Sequence, residues 1–191
     1  MKFSFGLATA FALFAVSVAA KGSTSSTPSQ SVCDAAKQKK GTYNGHTNDE
    51  VCSFLIDDCM DETASTSNIW SIPSCVAGAT CGGTHNLIQL AKCTNSDINE
   101  IVSSDLTSLD YDLYAEIVGD CAWQSGGCPM TRQNYIDFFY STLDDTCSDV
   151  WPGSIQSVID NWSLIADWTA KGPESIPYLN FNDWLQWSDS Q

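Results

Sequence analysis

Thr47-Asn48-Asp49-Glu50-Val51-Cys52-Ser53-Phe54-Leu55-Ile56-Asp57-Asp58-Cys59 is the stretch that settles the fold class. Thr47 and Glu50 stand at the two ends of a capping box, in which the hydroxyl takes the N3 amide and the carboxylate returns to the cap amide. A helix therefore starts here. At 100° per residue Val51, Cys52, Leu55, Ile56 and Cys59 fall within an arc of about 140°, with Glu50, Asp57 and Asp61 opposite. Both cysteines thus face inward, toward other elements. Two further helices read the same way. From Thr131 to Cys147, the residues Ile136, Phe139, Tyr140, Leu143 and Cys147 make a stripe about 100° wide. Another begins near Pro152 and stops at Lys171-Gly172-Pro173, a cation, a permissive residue and a breaker. Shorter helices are expected at 33–40, 69–78, 84–93, 97–105, 110–119 and 181–188. Runs of β-branched residues in strict alternation are few. The reading is all-α, a disulfide-stapled bundle of about six to nine short helices.

The covalent frame comes from Cys33, Cys52, Cys59, Cys75, Cys81, Cys93, Cys121, Cys128 and Cys147. Nine is odd, so at most four bridges close within the chain, and about 945 frameworks are open. Only Cys121–Cys128 suggests its own partner, because Gly126-Gly127 give a short loop the freedom to turn. The remaining thiol stays free or links two copies, so a monomer and a disulfide-linked dimer are both open. Zinc is disfavoured, since no Cys-x-x-Cys pair occurs and the two histidines are far apart.

Lys2 precedes an uncharged apolar run from Phe3 to Ala20 that ends in Val18-Ala19-Ala20, the pattern of a cleavable secretory signal. Residues 1–20 are therefore expected to be removed, taking the formal charge from −15 to about −16. Export places the cysteines in an oxidising compartment where bridges persist. Residues 21–31, rich in Ser and Thr with one Pro, have nothing large to bury and read as a disordered leader. Residues 32–191 read as one all-α cysteine-rich domain, with no membrane span after cleavage. With 8 Lys+Arg against 23 Asp+Glu, the chain lacks the cations that nucleic acid or an anionic membrane demands.

No residue is assigned to catalysis, a cofactor or a metal. His46 precedes the first helix and His85 opens another, neither beside a nucleophile. Gly-x-Ser-x-Gly is missing. Asp105 to Glu116 has acids at both ends of a calcium-loop window, but Asp110 stands where that loop needs glycine. Acidic pairs such as Asp110/Asp112 and Glu116/Asp120 keep open a hydrolase working through two carboxylates. The runs Asp57 to Glu62 and Asp144 to Asp149 put negative charge at helix C-termini, which the macrodipole disfavours.

Tryptophan is the unusual feature: six of the seven lie after residue 120. On the helix from Pro152, the stripe of Ile155, Val158, Ile159, Trp162 and Ala166 faces one way, with Leu164 and Trp168 roughly opposite. Either the tail, with Phe181, Trp184, Leu185 and Trp187, folds back over that second face, or an aromatic surface is left exposed. The candidate ligand surface is Leu164, Trp168, Trp184 and Trp187, suited to an extracellular glycan or protein. Asn161-Trp162-Ser163 is the only N-glycosylation sequon.

The opening Met1-Lys2-Phe3-Ser4-Phe5, the Ser/Thr/Pro leader, the spread cysteines and the acidic Trp-rich end resemble the small secreted cysteine-rich proteins of filamentous fungi. The resemblance is one of composition. It implies an extracellular protein acting at a cell wall, on a neighbouring organism or in development, often without catalytic activity. The expected function is therefore a secreted binding or effector-like protein. The alternatives are the carboxylate hydrolase and a small lipid or sterol carrier, which needs an internal apolar cavity.

Overall fold

The computed structural model describes residues 27–42, 49–99, 101, 105–125 and 127–188. The signal segment 1–20, residues 21–26 of the leader, and His46, Thr47 and Gly126 lie outside the described residues.

Local capping fixes where the helices begin. Ser29 caps α1 (Gln30–Gln38), so the helix takes in the last two residues of the expected leader. Asp49, and not Thr47, is the N-cap of α2 (Glu50–Thr63); its Oδ1 accepts the Cys52 amide at 3.0 Å. An aspartate directly before the first helical turn is itself a strong N-cap, so the expected Thr47 cap gives way to Asp49. Helix α3 (Pro73–Gly82) runs later than the expected 69–78. Proline disfavours helical backbone in the residue before it, so Ile72 is extended, with φ −102° and ψ 117°, and Pro73 opens the helix. A 3-10 turn at Ile69–Ser71 precedes it. Gly83, with φ 81°, breaks α3 from α4 (Thr84–Thr94) in one residue. Of the expected 97–105 helix only α5 (Ser96–Asn99) forms among the described residues.

Helix α6 (Tyr111–Val118) is capped by Asp110, whose Oδ1 accepts the Asp112 and Leu113 amides at 2.8 and 3.3 Å. Helix α7 (Arg132–Asp145) opens with a full capping box between Thr131 and Asn134. Its end departs from the sequence reading. The Cys147 amide donates to Asp144 O at 3.0 Å and the Ser148 amide to Leu143 O at 2.9 Å, while Cys147 takes the left-handed φ of 55°. That is a Schellman ending, and it puts Cys147 outside the helix. The expected inward stripe holds for Ile136, Phe139 and Leu143 but stops there, and Cys147 is exposed. Helix α8 (Ile155–Thr169) ends on left-handed Ala170, before Gly172. Helix α9 (Tyr178–Trp187) completes the chain of nine helices among the described residues. One ladder accompanies them: β1 (Met130–Thr131) pairs antiparallel with β2 (Ser175–Ile176), with Met130 opposite Ile176.

The protein is all-α and stapled by four disulfides. Helix α3 lies at its centre, buried at every position from Ser74 to Gly82, and packs against α2, α4, α7 and α8. Its sequence is small and weakly polar all round, as a helix enclosed on every side requires. Gly78 and Gly82 let α2 approach; a Cβ on Gly82 would stand 2.5 Å from Ile56 Cδ1. Cys52–Cys81 and Cys59–Cys75 bridge that same pair of helices, confirming that both α2 cysteines face inward. Cys33–Cys93 ties α1 to α4, and Cys121–Cys128 closes on itself as the glycine spacing suggested. Trp70, Trp162, Tyr114, Tyr135 and Phe181 are the largest fully buried side chains. Trp162 is satisfied there by donating Nε1–H to Pro173 O at 2.7 Å.

Candidate functional site

The tail does fold back. Helix α9 packs on α8, burying Phe181, Trp184 and Leu185. Trp184 stacks on Phe181 with ring centroids 5.9 Å apart, so it belongs to the core and not to a ligand surface. Trp168 is half-buried, with its indole nitrogen enclosed. Leu164 and Trp187 remain 37% and 38% exposed. The expected four-residue surface is thus reduced to its fringe, because the packing of α9 on α8 buries Trp184.

Asn161 is also corrected. It is only 6% exposed and lies against the Tyr135 hydroxyl, so the folded protein has no room for a glycan on its amide. Tyr135 in turn donates to Thr80 Oγ1 at 2.8 Å. Burial pushes the Tyr135 hydroxyl far above its ordinary value and keeps it a donor. Asn161 is also one of the residues that line a cleft.

That cleft has a volume of about 300 Å³ and lies where the start of α2, the end of α3, and α7 and α8 converge. Its walls are Val51, the Cys52–Cys81 bridge, Phe139 and Val158. Its polar groups are Asp49, Ser154, Ser157 and Asn161, with Pro152-Gly153 forming one lip. Immediately before that lip stands Trp151, 47% exposed. Its ring stacks on Tyr140 at 6.2 Å and 14°, and Tyr140 leans on the cleft residue Phe139 at 6.5 Å. A concave pocket with apolar walls and a few polar groups, with an exposed aromatic next in the chain to one lip, has the composition of a small-ligand site. No cation lines it. The disulfide wall and the buried Asn161 hold its shape before any ligand arrives, which lowers the ordering cost of binding.

A second cleft, about 210 Å³, brings Glu116 together with Asp137 and Asp145 beside Phe138. Asp110, by contrast, is committed to capping α6, and Asp112 is an exposed residue of its first turn. Among the described residues no group of three His, Cys, Asp or Glu side chains is placed to hold a metal. The acidic run from Asp57 to Glu62 is partly offset: Lys40 Nζ reaches Asp57 Oδ1 at 2.7 Å. Loss of hydration, reinforced by Asp58, raises the Glu62 carboxyl above its ordinary value. His85 is exposed in the first turn of α4. A third cleft, about 390 Å³, lies between α1, α2 and α4 and is lined by Lys37, Lys40 and Asp57 as well as by apolar groups. All three clefts open to solvent.

Sequence reading passed over Trp151 and Trp123, the two most exposed tryptophans. Both carried a local signal. Trp151 precedes Pro-Gly ahead of a helix start, and Trp123 sits in an eight-residue segment closed by two cysteines, too short to bury an indole. Among the described residues no helix is long and apolar enough to cross a membrane. The chain matches no protein-family model, no curated protein and no solved structure.

Proposed function

We propose that this is an exported binding protein that takes a neutral sugar in the cleft between α7 and α8. The observation that carries the reading is the Trp151–Tyr140 stack beside a cleft whose polar groups are hydroxyl, amide and carboxylate. An indole face supplies apolar contact to the C–H face of a pyranose at low conformational cost, and the flanking oxygens and amide supply its hydrogen bonds. A formal charge of −15 and Asp49 in the lining disfavour anionic sugars. Four disulfides fit the oxidising compartment that export implies. The exposed Cys147 thiol is the group through which a linked dimer would form.

Titration calorimetry with soluble chito-, xylo- and β-gluco-oligosaccharides tests the reading. Trp151→Ala is expected to weaken binding about tenfold, the worth of one aromatic contact. The ring is half exposed, so the melting temperature should move by no more than about 3 °C. Absence of binding across the panel, or a Trp151→Ala variant that binds as the parent does, contradicts it.

A further inference from the structure

We infer that Trp123 forms a second carbohydrate-contacting surface, separate from the cleft, suited to the flat face of a neutral polysaccharide. The inference begins with how the indole is held. Cys121–Cys128 closes the loop that carries it. The 3-10 turn Asp120–Trp123 and left-handed Gly127, with φ 60°, shape that loop. Tyr111 Oη donates to Ala122 O and Tyr114 Oη to Cys128 O, each at 2.7 Å, fastening both ends of the loop to α6. Tyr178 Oη donates to Leu109 O at 2.6 Å and joins the start of α9 to the same group.

The rings form a continuous edge-to-face set. Trp123 meets Tyr111 at 5.0 Å, Tyr111 meets Tyr178 at 5.1 Å, and Tyr178 meets Tyr114 at 4.9 Å. Burial lifts the Tyr114 hydroxyl to about 12, so it remains a donor across the physiological range. All three tyrosine hydroxyls are thus spent on backbone carbonyls, and the cluster is internally satisfied. Yet Trp123, at its outer end, is 63% exposed. A fold gains little from an indole left in water, whereas a rigid aromatic plane loses little entropy when it binds.

The surroundings select the ligand. Asp120, Gln124 and Ser125 lie within three residues of Trp123 in the chain, all exposed and all able to hydrogen-bond hydroxyl groups. None of them is cationic, so a polyanion is not matched. The indole is carried on an exposed loop and lines none of the three clefts, which leaves it open to a flat polymer surface where the cleft encloses a short soluble one. A protein partner would instead be expected to close a ring of contacts around such an anchor.

Retention of the oxidised full-length protein on insoluble cellulose, chitin and β-1,3-glucan tests this, with Trp151→Ala and soluble oligosaccharides run in parallel. Trp123→Ala should retain about tenfold less on the polymer that holds the parent. Binding of soluble oligosaccharide should be unchanged, the melting temperature should move by no more than about 3 °C, and Trp123→Tyr should restore part of the retention. Trp151→Ala losing only soluble binding would separate the two sites. The inference is overturned if the parent is retained on no polymer, or if Trp123→Ala is retained as the parent is. It is also overturned if Trp123→Ala changes only self-association or protein capture, which would make the ring a protein contact.

Discussion

The double variant Cys59→Ala/Cys75→Ala is expected to melt about 10–15 °C below the parent under non-reducing conditions. The bridge spans 16 residues and is fully buried between α2 and α3. Closing a loop of that length restricts the unfolded chain by about 3 kcal/mol. Removing two sulfurs from a site with no exposure adds a packing loss of about 1–2 kcal/mol. In a domain of this size each kcal/mol moves the midpoint by roughly 2–4 °C. The neighbouring Cys52–Cys81 bridge and the glycine-mediated contact at Ile56 should keep the helices paired, so the variant still folds. Cys121→Ala/Cys128→Ala, with a span of only 7 residues at the surface, should shift less. Circular dichroism on both variants decides the matter. A loss below about 3 °C for the Cys59/Cys75 pair would assign the α2–α3 contact to packing alone.

Trp162→Ala is the second large effect. The indole has no exposure, lies 5.5 Å from the Tyr135 ring and satisfies Pro173 O at 2.7 Å. Truncation should cost about 3–5 kcal/mol through lost burial and the cavity left behind. The freed Pro173 carbonyl adds to the penalty, and the segment leading to β2 loses its anchor. Trp187→Ala, at 38% exposure, should cost less than about 1 kcal/mol. Urea unfolding of the two variants separates a core ring from a fringe ring. Equal losses would mean that α9 is fixed more strongly by its last turn than its packing implies.

What sequence could and could not show follows the range of the forces involved. Caps and apolar stripes are local, so the helices at Glu50, Tyr111 and Arg132 were legible within a few residues. The inward face of Cys52 and Cys59 was legible for the same reason. Cys147 was misread because projecting at 100° per residue assumes that the helix continues, and the Schellman ending stops it two residues earlier. The two-residue ladder of Met130 with Ile176 is too short for any alternation to register. Apart from the short Cys121–Cys128 loop, disulfide pairing depends on which helices meet, and no local pattern fixes that. The same holds for the tryptophans: whether Trp184 was core or surface turned on α9 packing against α8. The cleft joins Asp49 to Asn161 across more than half of the chain, so its residues could not be grouped before the fold was known.

Alkylation of the monomeric protein without reductant, followed by peptide mapping, bears most directly on the disulfide-stapled all-α account. One modified cysteine, Cys147, is expected, with linked peptides joining Cys33 to Cys93, Cys52 to Cys81, Cys59 to Cys75 and Cys121 to Cys128. Nine modified cysteines, or linked peptides in any other pairing, would contradict it.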